Sequence, residues 1–294
     1  MSSDTSCDGS ARRRRPPDAF ALHGRLVSIP PEVLLVFALV GLFAGAVDAI
    51  AGGGGLITVP ALLLGGLDPV SAVATNKLQG TFGTAMSTFR FARAGMIDFR
   101  SREAWGLAAA AFAGAIAGAA LVAFAPVGAM RTALPFLLLA TALYFAIGPK
   151  MSDVDAKARL SPAVFALAIA APIGLYDGLF GPGAGSFYMI GLVALAGVGA
   201  VKAVARTKLL NFSSNLAGLL FFIAAGHVVW AAGLAMAVGT VVGAQIGSAL
   251  ALRHGVRLVK PLLIVVSLAL ALRLMLDASH PVGAALRAMI AAPS

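Results

Sequence analysis

Residues 41–80 read GLFAGAVDAIAGGGGLITVPALLLGGLDPVSAVATNKLQG. An apolar run closes on Asp48, four glycines follow (Gly52 to Gly55), and a second apolar piece occupies 55–67. That piece rises only about 20 Å as a helix, short of the roughly 30 Å hydrocarbon core of a bilayer. A half-length apolar helix entered through a glycine break is the pattern of a broken or re-entrant membrane helix. The segment beyond Asp68 is different in kind, because it carries Asn76, Lys77 and Gln79 inside an otherwise apolar stretch.

The same order recurs further along, in GLYDGLFGPGAGSFY (174–188) and AVARTKLLNFSSNLAGLL (203–220). Asp48 through Gly54 aligns with Asp177 through Gly183, and Ala72 through Leu78 with Ala203 through Leu209. Ala94-Gly95 meets Ala225-Gly226, Gly114 to Gly118 meets Gly243 to Gly247, and Arg131 with Pro135 meets Arg257 with Pro261. The offset stays between 126 and 131 throughout, which reads as an internal duplication of roughly 130 residues. Duplicated halves with breaks at matching places mark secondary transporters, whose site lies where the repeats meet. An even number of spans per half gives parallel repeats and an odd number gives inverted ones.

Around these motifs the spans read as 32–50, 71–92, 104–125, 130–148, 161–179, 202–225, 230–251 and 257–276, with half-length pieces at 55–67 and 186–199. The expected fold is an all-α polytopic membrane protein of about eight transmembrane helices plus two half-length helices. Its segments are a disordered tail 1–31, a first repeat 32–148, a charged linker 149–160, a second repeat 161–276 and a C-terminal tail 277–294. Composition agrees: of 294 residues 60% are hydrophobic and 12% charged, with a mean hydropathy of +0.93. A soluble domain carries about twice that charge, so soluble enzymes, disordered chains and disulfide-stapled secreted domains are excluded together. The lone Cys7 makes no framework, and His23, His227, His254 and His280 match no metal spacing. Neither a metal nor a cofactor is expected.

The net charge of +10 is read as topology and contact with the lipid bilayer, not nucleic acid. Arg12 to Arg15 are followed by Pro16 and Pro17 and no continuous apolar region, which argues against a cleaved export signal. With eight spans the tail, the 93–103 loop and the 149–160 linker share one side, taken as cytoplasmic, though Arg253, Arg257 and Lys260 then fall opposite.

Ionisable residues within a span are costly and mark sites. Here they are Asp48, Lys77, Asp177, Arg206 and Lys208, with Arg90 and Arg273 nearer span ends. Asp48 and Asp177 are repeat mates, as are Lys77 and Lys208. Glycine breaks leave N–H groups open at helix N-termini, which attract anions. An anion site would therefore use Gly53, Gly54, Gly183 and Gly185 as backbone donors. Lys77 and Lys208 would supply charge, with Asn76, Gln79, Asn211, Ser213, Ser214 and Asn215 as neutral partners. Asp48 or Asp177 would couple to protons or balance the lysines, and truncating either lysine is expected to stop flux without unfolding the protein. Plainer readings stand beside this one: the lysines could snorkel to head groups, and the aspartates could cap half-helices or form structural ion pairs. Gly114/Gly118 and Gly243/Gly247 read as helix-packing pairs, and Trp105 and Trp230 as interfacial anchors.

At these residues, across about 33–276, the sequence resembles the sulfite exporter TauE/SafE family of bacterial membrane transporters. The resemblance implies an inner-membrane transporter with two related halves, handling sulfite, sulfonates or other small organic anions on an ion gradient. A passive small-anion channel is the alternative. An intramembrane enzyme is disfavoured, since Ser186 has no histidine near it in sequence and no H-E-x-x-H occurs. Substrate, direction of transport and any homo-oligomer stay open.

Overall fold

The computed structural model describes residues 29–123 and 154–254, together with Phe136, Leu268 and Leu272. Apart from those three residues the expected spans 130–148 and 257–276 lie outside the described residues, as do nearly all of the 1–31 tail, part of the linker and the 277–294 tail. All regular structure among the described residues is helical.

Helix α1 (Pro31–Ala51) opens with proline at its first turn, where no N–H is needed. It ends at Gly52, whose φ of 79° is left-handed and whose N–H bonds Asp48 O at 2.7 Å. Helix α2 (Gly55–Leu64) has only 10 residues. Helix α3 (Pro69–Arg93) starts beneath Asp68, whose carboxylate accepts the N–H groups of Val70 and Ser71 at 3.0 and 3.1 Å. Helix α4 covers Arg102–Ala123. Helix α5 (Pro162–Leu179) contains a π turn at Ala166–Ala170. A break at Gly181 and Gly183, with φ of 89° and 83°, leads into α6 (Ala184–Ala194). Helices α7 (Ala200–Ala224) and α8 (Trp230–His254) complete the described chain.

Five of these helices, α1, α4, α5, α7 and α8, are long and apolar enough to cross a membrane. Helix α3 has 25 residues, ample length, but is too polar to qualify by composition. Thr75, Asn76, Lys77, Gln79, Thr81, Thr84, Ser87 and Thr88 are all buried, so its polarity faces protein rather than lipid.

The two half-length helices turn back. Arg159 and Leu160 donate to Leu195 O at 2.9 and 3.2 Å, and Ala156 donates to Gly197 O at 2.8 Å, so α6 leaves at the end where α5 enters. Ile29, Val33 and Phe37 pack in one apolar cluster with Leu62 and Leu67, so α2 likewise returns to the start of α1. Each pair is a hairpin dipping into the bundle. Val229 N–H bonds Thr75 Oγ1 at 3.1 Å, which sets the α7–α8 loop at this same tail end. At the opposite, linker end, Arg206 pairs with Glu103 at 3.2 Å and Lys202 with Asp155 at 2.5 Å. Lys202 and the Gly199 N–H hold the Asp155 carboxyl below its ordinary pKa.

This corrects the expected sidedness. Because α1 and α2 form a hairpin, residue 31 lies at the opposite end of α3 from the 93–103 loop and the linker. Helix α5 (161–179 in the sequence reading) is one arm of a hairpin, although it is long and apolar enough to cross.

Glycine faces set the closest helix contacts. A Cβ on Gly239, Gly243 or Gly247 of α8 would strike the carbonyls of Ala38, Leu42 or Ala46 on α1. One on Gly114 or Gly118 of α4 would strike those of Ala171 or Leu175 on α5. Both contacts advance in step along the two helices, so each pair runs parallel. The expected packing role of these glycines is what the structure displays.

Candidate substrate site

The two breaks meet at the centre of the bundle. Gly52 lies against Gly185 so closely that a Cβ would enter the Gly185 backbone, and Gly55 faces Pro182. Ser186 Oγ donates to Ala51 O at 2.6 Å, satisfying an open carbonyl at the end of α1.

The ionisable residues pair across the breaks and across the halves. Lys77 Nζ of α3 donates to Asp177 Oδ1 of α5 at 2.7 Å, and Ser214 Oγ donates to the other oxygen at 2.5 Å. Lys208 Nζ of α7 bonds the Asp48 carbonyl and reaches Asp48 Oδ2 of α1 at 3.3 Å. Asp48 Oδ1 accepts the Gly54 N–H at 3.2 Å, so the aspartate also caps the approach to α2. Both lysine side chains are fully buried, which removes the snorkelling reading. The stem of Lys77 lies along Gly218, where a side chain would crowd it. A buried ammonium is stable only when paired and hydrogen-bonded, and these two are.

A small cavity of about 30 Å³ lies between the breaks, room for roughly two waters. Its lining includes Asp48, Asp177, Asn76, Gln79, Asn211 and Asn215. Of the expected glycines, Gly54 and Gly185 line it, while Gly53 and Gly183 do not. Neither lysine lines it: each sits behind its carboxylate. Ser214 is spent on Asp177, and Ser213 turns away to bond Ala108 O of α4 at 2.7 Å. Arg206 stands at the linker end.

The carboxamides form an ordered wall. Asn76 Oδ1 takes hydrogen bonds from Thr58 Oγ1 at 2.5 Å and Gln79 Nε2 at 2.7 Å, and Thr240 Oγ1 donates to Gln79 Oε1 at 2.8 Å. This fixes Asn76 with its amide nitrogen beside Gly55 and Gly181, where it has no acceptor among the described residues. Asn215 Nδ2 bonds Asn211 O at 2.8 Å. Asn211 is buried with its Oδ1 unpartnered and its Nδ2 against Gly185. Gly55 and Gly185, in the first turns of α2 and α6, line the cavity, and their N–H groups have no acceptor among the described residues. Two helix N-termini and the amide nitrogens of Asn76 and Asn211 thus gather at one small space, donors suited to an oxyanion, beside the carboxylates of Asp48 and Asp177.

Sequence reasoning missed Thr58, Thr240, Gly80 and Gly83 as members of this centre. Thr58 follows the first break by one turn and Thr240 interrupts an apolar stretch of α8, so both carried a signal. Trp105 and Trp230 are exposed near helix starts at opposite ends, as anchors require.

Five helices long and apolar enough to cross a membrane surround this buried polar centre, the setting of a multi-pass membrane protein with an internal site. The sulfite exporter TauE/SafE family model matches residues 37–274, nearly all of the hydrophobic chain. The chain belongs to this family. It is 48% identical over 249 residues to "Probable membrane transporter protein ORF9" of Sinorhizobium sp, covering 84% of this chain and 95% of that protein. It is 41% identical over 255 residues to "Probable membrane transporter protein YfcA" of Escherichia coli strain K12, covering 87% and 94%. A "Probable membrane transporter protein" of Haemophilus influenzae is 38% identical over 246 residues, covering 84% and 96%. No solved structure matches the chain.

Proposed function

We propose that this protein is a proton-coupled secondary transporter of a small anion, such as sulfite, a sulfonate or a small organic acid, across the bacterial inner membrane. The observation that carries the reading is that Gly55 and Gly185, each in the first turn of a helix, line one small cavity together with Asn76 and Asn211. Gln79 and Asn215 brace that wall. The lysines set its field from behind Asp48 and Asp177.

The two halves are inverted repeats in this reading. Helix α3 runs from the tail end to the linker end and its sequence mate α7 runs the other way, while α1 with α8 and α5 with α4 form matching parallel pairs. Lys77–Asp177 and Lys208–Asp48 are then one contact repeated by a pseudo-two-fold axis, as in transporters that rock one repeat against another. Arg90, Arg93, Arg100, Arg102, Lys157, Arg159, Lys202, Arg206 and Arg253 all lie toward the linker end, and among the described residues no lysine or arginine lies at the tail end. These nine outnumber Arg12 to Arg15 and Arg25 ahead of residue 31, so in this reading the linker end is cytoplasmic, and residue 31 enters from the other side, where the sequence reading had it cytoplasmic.

Reconstituted into proteoliposomes, the protein is expected to accumulate sulfite, methanesulfonate or acetate above equilibrium when a proton gradient is imposed. Equilibration without accumulation would instead make it a passive channel. Loss of flux in Asn76→Ala and Asn211→Ala, with folding retained, is the expected signature of the cavity wall.

A further inference from the structure

The four central charges sum to zero, because each buried lysine is matched by one aspartate. An anion entering the cavity meets carboxylates on the wall and no free ammonium. Its charge needs a partner that the resting centre does not hold. A proton on one carboxylate supplies it: the quartet becomes +1, the anion brings −1, and the loaded centre is neutral again.

The two aspartates are not equivalent candidates. Asp177 is 3% exposed, is held by Lys77 at 2.7 Å, and receives Ser214 on its second oxygen at 2.5 Å. Asp48 is 17% exposed, stands 3.3 Å from Lys208, and receives only the Gly54 N–H at 3.2 Å on its other oxygen. The position matching Ser214 in the first half is Gly83, which has no hydroxyl to give. Lys208 also donates to the Asp48 backbone carbonyl, an acceptor that does not depend on the charge of the carboxylate. The groups facing Asp48 are Lys208 from α7, Asp177 from α5 across the cavity and the neutral Gln79, Asn76 and Thr240 from α3 and α8. Lys77, the remaining charge, is held by Asp177, and Ser186 of α6 is engaged with Ala51.

We infer that Asp48 carries the coupling proton, binding one proton for each monovalent anion, while Asp177 stays ionised as the fixed partner of Lys77. Protonation of the Asp48 carboxylate loosens Lys208 toward the cavity as the anion enters. Release of the anion and return of the proton to water restore the Lys208–Asp48 pair. This rests on the anion-transport reading above.

The test uses the full chain in proteoliposomes with methanesulfonate and sulfite as probes. Wild type is expected to accumulate methanesulfonate about tenfold per pH unit, the 1:1 limit, with no response to a potassium diffusion potential. In Asp48→Asn, methanesulfonate counterflow should remain measurable while pH-driven accumulation disappears and flux follows the membrane potential. Asp48→Glu should restore pH-driven accumulation. Accumulation by Asp48→Asn at the wild-type level, or potential-driven uptake by wild type, overturns the assignment. Loss of counterflow in Asp48→Asn, with folding retained, also overturns it, since the residue would then hold the anion itself. Absence of counterflow for both probes in wild type overturns the anion reading instead.

Discussion

Lys77 illustrates what a single buried charge demands. Its ammonium is fully buried, held by Asp177 at 2.7 Å with Gly181 beside it, and its stem lies along Gly218. Removing one partner of a buried pair typically costs roughly 3–5 kcal/mol, because the other charge is left uncompensated. Lys77→Ala is therefore expected to lower the thermal unfolding midpoint of the purified protein sharply, and adding Asp177→Ala should recover part of the loss. Asp48→Ala should cost less than Asp177→Ala, since its carboxylate is partly open to water. A double mutant no more stable than Lys77→Ala would show that the pair is not what holds the residues there. The same measurement tests the expectation that lysine truncation leaves folding intact. The sequence made the four charges visible through their repetition, but not their pairing. Which acid meets which base depends on how two distant segments cross, and spacing along one chain carries no such information.

Among the elements, glycine decides how near the helices come. Gly118 faces Leu175 O, while Gly106 on the same helix faces open space. Gly118→Ala is expected to destabilise the protein by about 1–3 kcal/mol through overpacking. Gly106→Ala should be neutral or stabilising, since alanine is the better helix former. Unfolding midpoints of the two variants, measured side by side in detergent, check the contrast; equal midpoints would contradict the close α4–α5 contact. Helix limits and the glycine pairs were legible beforehand, because apolar runs, Asp68, Ser161 and the glycine clusters mark them locally. The return of α2 and α6 was not. An apolar piece of half length fits a helix that continues forward as well as one that doubles back, and only contacts such as Leu160 with Leu195 decide.

At the level of the molecule, sidedness follows from those hairpins. Ala94 and Ala225 are sequence mates in matching loops, yet one lies at the linker end and the other at the tail end, both exposed. In a Cys7→Ser background, a membrane-impermeant maleimide added to intact cells is expected to label Ala225→Cys and spare Ala94→Cys. Labelling of both or neither would refute the inverted arrangement, and the reverse pattern would invert the orientation.

The crossed ion pairs also bear on how the protein is made. Lys77 is synthesised 100 residues before Asp177, an interval of about 5–20 s at ordinary translation rates. Asp48 precedes Lys208 by 160 residues, so its wait is longer still. Throughout that time the nascent first half holds an acid and a base whose partners have not left the ribosome. The early helices must linger beside the insertion machinery or a chaperone, where water or protein can shelter those charges. Maturation is thus a single late event, completed when the second half arrives to neutralise the first.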